Sequence, residues 1–143
     1  MTTDPLFVAF ESDVSHRTAV IAEETGSIWL YLSKPDERAP ERDCWLLNTD
    51  AEIRDREFYR QHQSPPPAPP TRVLDGGTAP LPGVERWSVR WSSDGHSVAA
   101  LLDGQAIGFI VAGHERGHAR YISGGAPPWA LPWSEHAYND TFG

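Results

Sequence analysis

The chain has 143 residues and carries 12 Lys and Arg against 20 Asp and Glu, a net charge of −8. That balance opposes phosphate backbones, so nucleic acid is not expected as a partner, and a basic protein suits the surface better. Hydrophobic content of 39%, with 13 prolines and 12 glycines, fits a single loop-rich domain over residues 1–143 that is long enough to bury a core.

Residues 6–10 and 19–22 are short apolar runs and read as strands. The turn Glu23-Glu24-Thr25-Gly26 leads into residues 27–33 (SIWLYLS). There Ile28, Leu30 and Leu32 share one face, and Trp29 and Tyr31 the other. Residues 34–43 are charged and hold two prolines, which predicts a loop, followed by a short strand over 44–48. Cys44 has no second cysteine to pair with. Set before Trp45-Leu46-Leu47, it reads as an inert buried thiol. Thr49-Asp50-Ala51-Glu52 has capping-box spacing and predicts a helix over 51–63 with a thin apolar face of Ile53, Phe58 and Tyr59. Residues 64–70 (SPPPAPP) open a Pro/Gly-rich internal loop over 64–83. The proline run is expected to be a stiff spacer rather than an SH3-type ligand.

Residues 84–125 organise the rest, reading as four strands joined by tight turns. Trp87, Val89 and Trp91 alternate with polar neighbours. Asp94-Gly95 and Asp103-Gly104 are turn signals, the second the strongest hairpin signal in the chain. Residues 98–102 and 106–112 are apolar throughout, with Gly108 marking a bulge or a close-packing point. The fourth strand is predicted over 119–123. Simple alternation puts Val98, Ala100 and Leu102 opposite Ala99 and Leu101, and Ile107, Phe109 and Val111 opposite Ala106, Ile110 and Ala112. Both faces of these strands need cover. Residues 126–143 read as an irregular tail whose Trp129, Trp133, Tyr138 and Phe142 pack back on the sheet. An uncovered remainder would mark an interface, which leads to the expectation of a homodimer with Trp129, Trp133, Phe109 and Val111 as interface candidates.

His114-Glu115-Arg116-Gly117-His118 matches H-E-x-x-H, in which two histidines one helical turn apart hold zinc and the Glu acts as base. Here β-branched residues precede the motif and glycines bracket it, so a hairpin turn is expected in place of the helix that the chemistry needs. His114, Glu115 and His118 stay metal candidates only in an alternative, hydrolase reading, and no third ligand stands at a recognised spacing. His96 follows Asp94-Gly95 in a turn, and His16 and His62 lack companions. Ser92, Ser93 and Ser97 lack the G-x-S-x-G setting of a nucleophile elbow. Neither 75–77 nor 123–125 has the strand–loop–helix context of a phosphate loop. No catalytic residue and no cofactor is assigned. The first residues, MTTDPLFVAFESD, do not read as a signal peptide, and no segment has the roughly twenty apolar residues that span a membrane. A cytoplasmic setting without membrane contact is expected.

Arg90-Trp91-Ser92-Ser93-Asp94-Gly95 resembles the W-S-x-D-G turn of TolB-type β-propeller blades, which implies a local four-strand meander. Trp91-Ser92, Asp94-Gly95, residues 99–102, residues 107–111, Arg120 and the closing Trp133-Ser134 to Phe142 resemble the bacterial family known as domain of unknown function 2251. Gln105-Ala106 stands where that family has a His-Ala pair. The resemblance covers about the last third of the chain and implies no activity. The expected fold is mainly β: a small, strongly bent antiparallel sheet or partly open barrel, of the Sm-like or a similar kind, with one short helix. The expected function is a non-enzymatic protein-interaction module, of inhibitor or immunity type. The metal-dependent hydrolase and an Sm-like RNA-binding protein are the alternatives.

Overall fold

The computed structural model of the protein describes residues 5–123 and 130–143. Strands β1 (Phe7–Glu11), β2 (Thr18–Glu24), β3 (Ser27–Ser33) and β4 (Pro40–Asn48) form an antiparallel meander in the order β1-β2-β3-β4. A short helix α1 (Arg56–Gln61) follows. Strands β5 (Trp87–Trp91), β6 (Val98–Leu102), β7 (Gln105–Ile110), β8 (Gly117–Ala119) and β9 (Ala130–Pro132) make a second sheet, and helix α2 (Glu135–Phe142) ends the chain. The protein is mainly β, as expected. Among the described residues the sheets do not close into a barrel, and two α-helices stand where one was expected.

The sheets face each other, β3 and β4 against β7 and β8. Ile21, Ile28, Leu30, Leu32 and Leu46 from the first sheet meet Val98, Ala100, Ile107 and Ile110 from the second in one core. The alternation in β2 and β3 produces this directly, because residues two apart share a face. Close approach of β4 to β7 requires Gly108. A Cβ there would lie 2.5 Å from Leu46 Cδ2 and 3.2 Å from Cys44 Sγ. Asp103 and Gly104 both adopt positive φ, 52° and 83°, as a two-residue primed hairpin turn demands.

Three local expectations are corrected. Helix α1 starts five residues late, with Asp55 as its cap: Asp55 Oδ1 accepts from Phe58 N at 3.0 Å. The capping box at Thr49 fails because Thr49 is buried and its N–H donates to Gly26 O at 2.9 Å, tying that residue to the β2–β3 turn. Strand β4 begins at Pro40, within the predicted loop, since proline is tolerated as the first residue of a strand. Residues 120–123 are outside β8. Ile122 instead bridges Val73, with Leu74 N donating to Tyr121 O and Ser123 N to Arg72 O.

The proline run is not a spacer. Pro67 and Ala68 are buried, and the Asn48 side chain clasps Ala68. Its Nδ2 donates to Ala68 O, and its Oδ1 accepts from Ala68 N, both at 2.9 Å. Trp45 Nε1 donates to the same Oδ1 at 2.9 Å. The amide of Asn48 thus does for residue 68 what a neighbouring strand would do.

Candidate functional site

The H-E-x-x-H letters fall in a turn. His114, Glu115 and Arg116 are exposed between β7 and β8, and Gly117 opens β8. His118 is on a strand, so the two histidines do not share a helix face. The His118 ring stacks on Phe109 at 4.6 Å, with its Nδ1 2.9 Å from Pro132 O. Among the described residues, no group of three or more His, Cys, Asp and Glu is placed to hold a metal ion.

The expected interface candidates separate. Trp129 lies outside the described residues. Phe109 is fully buried and cannot serve as a contact surface. Trp133, Tyr138 and Phe142 each meet Phe109 edge-on, at centroid distances of 5.1, 5.6 and 5.8 Å. Val111 and Trp133 are half-buried at the margin of the same cluster. What was expected to be an uncovered face of the second sheet is sealed by α2. Ser134 caps that helix by accepting from Ala137 N, and Arg90 fastens its last turn by donating to Phe142 O at 2.5 Å. Arg120 lies 3.9 Å above the Trp133 ring.

The open face belongs to the first sheet. Residues two apart on β2 point away from the core: Thr18, Val20, Ala22 and Glu24. Their cross-strand partners are Phe7, Ala9 and Glu11 on β1, and Trp29 and Tyr31 on β3. Phe7 is 67% exposed. A recess of about 470 Å³ is lined by Phe7, Val20, Ala22, Tyr31 and Arg38, with Glu23 and Glu24 at its end. A second hollow of about 450 Å³ adjoins it through Phe7, Thr18, Val20 and Arg38 and reaches Ala9 and Glu11. Tyr31 donates its hydroxyl to Glu24 Oε1 at 2.7 Å. Burial, reinforced by that hydrogen bond and by the charges of Glu24 and Asp43, pushes the Tyr31 phenol well above its usual range. Its hydroxyl therefore stays a donor, and the negative charge of the site rests on the carboxylates. The period-two pattern Thr18-Val20-Ala22 in the sequence carried this face. Sequence reasoning passed over it because alternation alone does not show which face a sheet leaves bare.

Between the sheets, Arg17 joins three partners: Glu41 Oε1 at 3.0 Å, Ser33 O at 2.9 Å and His96 Nδ1 at 2.9 Å. A guanidinium can only donate, so His96 accepts at Nδ1 and carries its proton on Nε2. This cluster ties the β5–β6 turn to the first sheet. Its bonds are satisfied internally, which makes it a structural clamp.

No helix among the described residues is long and apolar enough to cross a membrane. Comparison with protein-family models, with curated proteins and with solved structures finds no match in any of the three.

Proposed function

We propose that the chain is a non-enzymatic protein-binding module that holds a basic, amphipathic segment of a partner protein on the outer face of β1–β3. The observation that carries this reading is the recess of about 470 Å³ floored by Val20 and Ala22, walled by Phe7 and Tyr31, and edged by Glu23 and Glu24. Apolar recesses with a few charged groups at the margin are the usual form of a recognition site. The neighbouring Glu11 and the net charge of −8 favour a cationic partner in encounter. Among the described residues Arg38 is the one cation on the lining of this recess, and it gives an acidic residue of the partner something to pair with. An inhibitor or immunity protein acting on a basic target is the concrete form of this reading, in a cytoplasmic setting. The resemblance to the 2251 family is compatible with it and assigns no activity against it.

Affinity capture from the native host with two variants is the test. Wild type is expected to retain a basic protein, Val20→Lys to lose it, and Arg116→Ala, in the β7–β8 turn and outside the lining of both hollows, to keep it. Retention of the same protein by Val20→Lys would overturn the placement of the site.

A further inference from the structure

We infer that β1 is a self-complementary edge through which two copies of the chain join about a two-fold axis at Ala9. This goes beyond the basic-partner reading and does not rest on it. Strand β1 ends its sheet, with β2 on one side only. Glu23 N donates to Leu6 O, and Ser12 N to Arg17 O. With the register Phe7↔Ala22, Ala9↔Val20 and Glu11↔Thr18, the even-numbered residues direct their backbone groups toward β2. The N–H and C=O groups of Phe7, Ala9 and Glu11 therefore point to the free edge, and the side chains of the same three residues are exposed.

Natural edge strands are blunted by lysine, proline, a bulge or a covering segment. Strand β1 reads FVAFE, and its pairing with β2 runs without a register shift. It has none of the first three devices, and no described residue pairs with its outer side. An antiparallel copy centred on Ala9 places Ala9 opposite Ala9 of the second copy, Phe7 opposite Glu11 and Glu11 opposite Phe7. Each of these pairs is of the kind that exchanges both backbone hydrogen bonds, so every free group on the three residues finds a partner. Small side chains meet on the axis, and the two Glu11 carboxylates stand apart. The two four-stranded sheets become one continuous sheet. Because directly opposed residues share a face, Glu11 of the second copy comes to lie beside Phe7, at the margin of the recess described above. The complete recess then draws on both copies, and its acidity rises.

Sedimentation equilibrium at micromolar concentration provides the first measurement, with twice the chain mass of 15.9 kDa expected for wild type. Ala9→Pro removes only an N–H that points away from β2, so the protein is expected to keep its cooperative melt and to sediment as a monomer. Ala9→Cys is expected to form a disulfide-linked dimer under mild oxidation, since hydrogen-bonded antiparallel pairs sit within disulfide reach, while the buried Cys44 stays reduced. A wild-type monomer overturns the inference. So does a dimer that survives Ala9→Pro, or one in which Ala9→Cys fails to cross-link. The capture experiment above reads a different partner, so either proposal can fail alone.

Discussion

The imidazole of His118 lies nearly parallel to the ring of Phe109, with centroids 4.6 Å apart and planes at 13°. Phe109 is the centre of an aromatic cluster in which Trp133, Tyr138 and Phe142 approach edge-on. That packing is how an eight-residue helix of low apolar content holds to the sheet. His118 therefore serves as a packing residue. His118→Ala is expected to cost about 1 kcal/mol, the usual worth of an aromatic pair beyond its buried area, and Phe109→Ala roughly 3–5 kcal/mol. His114→Ala, in the exposed turn, is expected to stay within about 0.5 kcal/mol of wild type. Urea denaturation of the three variants checks this. Equal losses for His114→Ala and His118→Ala, with added zinc stabilising the wild type and neither variant, would contradict it.

The turns and the strand runs before and within the second sheet were legible because they rest on local chemistry: Asp103-Gly104 for a primed turn and alternation for β2 and β3. The order of the strands in the sheets was not, and β9, paired parallel to β8, lies in the stretch that reads as an irregular tail. The side-chain faces of β7 were not legible either. The register shifts between Ala100 and Leu101, where the partner passes from Gly108 to Ala106 and leaves Ile107 unpaired. One extra residue reverses the alternation on one side of it. Ile107 consequently joins Ile110 in the central core, and Phe109 joins Ala106 beneath α2, against the faces expected from simple alternation. The helix itself left little signal beyond the Ser134 cap, since EHAYNDTF has only a few apolar positions. The open recess was half legible. Its residues alternate in the sequence, but its exposure depends on where the chain beyond β4 travels.

The clasp between Asn48 and residue 68 makes the proline run part of the core. Replacing Asn48 with Ala would leave Trp45 Nε1, Ala68 N and Ala68 O without their partner in a buried setting. Each orphaned buried group costs about 1–3 kcal/mol, so Asn48→Ala is expected to lose roughly 3 kcal/mol or more. Shortening residues 64–67 is expected to broaden or abolish the cooperative melt. Thermal unfolding followed by tryptophan fluorescence and by far-ultraviolet circular dichroism checks both. A shortened loop with an unchanged transition would show that the clasp contributes little.

Asp94 stabilises its own turn. Its Oδ1 accepts from His96 N at 3.0 Å and from Ser92 Oγ at 2.7 Å, and these bonds hold its carboxyl below the ordinary carboxylate range, the backbone N–H contributing most. A carboxylate whose folded pKa is depressed adds stability that is complete above its unfolded value, about 3.9. That stability is lost as pH falls through the lower folded value. The stability of Asp94→Asn should therefore fall less steeply than that of wild type below about pH 4. Parallel acid titrations of the two proteins check this, and an equal fall in both would refute the contribution.

Cys44 sits where glycines of the second sheet, Gly108 and Gly117, let it approach the first closely. Its Sγ donates to His118 O at 3.3 Å, and burial, aided by the neighbouring Asp43 charge, pushes its thiol far above the ordinary range. A reactive cysteine requires thiolate and access, and Cys44 has neither. The native protein is expected to react with a thiol reagent at neutral pH only as fast as it unfolds, and at full rate in denaturant. The same closeness fixes Gly117: a Cβ there would lie 2.7 Å from Cys44 Cβ and 2.8 Å from its Sγ, with Phe109 O at 3.2 Å. The first and last of these neighbours are backbone-bound and cannot swing aside. Gly117→Ala is expected to destabilise by about 1–3 kcal/mol, as over-packing does, and to hasten thiol labelling by opening the sheets. Cys44→Ala removes the sulfur but leaves the Cβ contact, so it should relieve only part of the cost of Gly117→Ala. A double-mutant cycle measured by urea denaturation reads that coupling directly. Full additivity of the two changes would show that the alanine methyl is accommodated by movement of the β8 backbone and not by the sulfur.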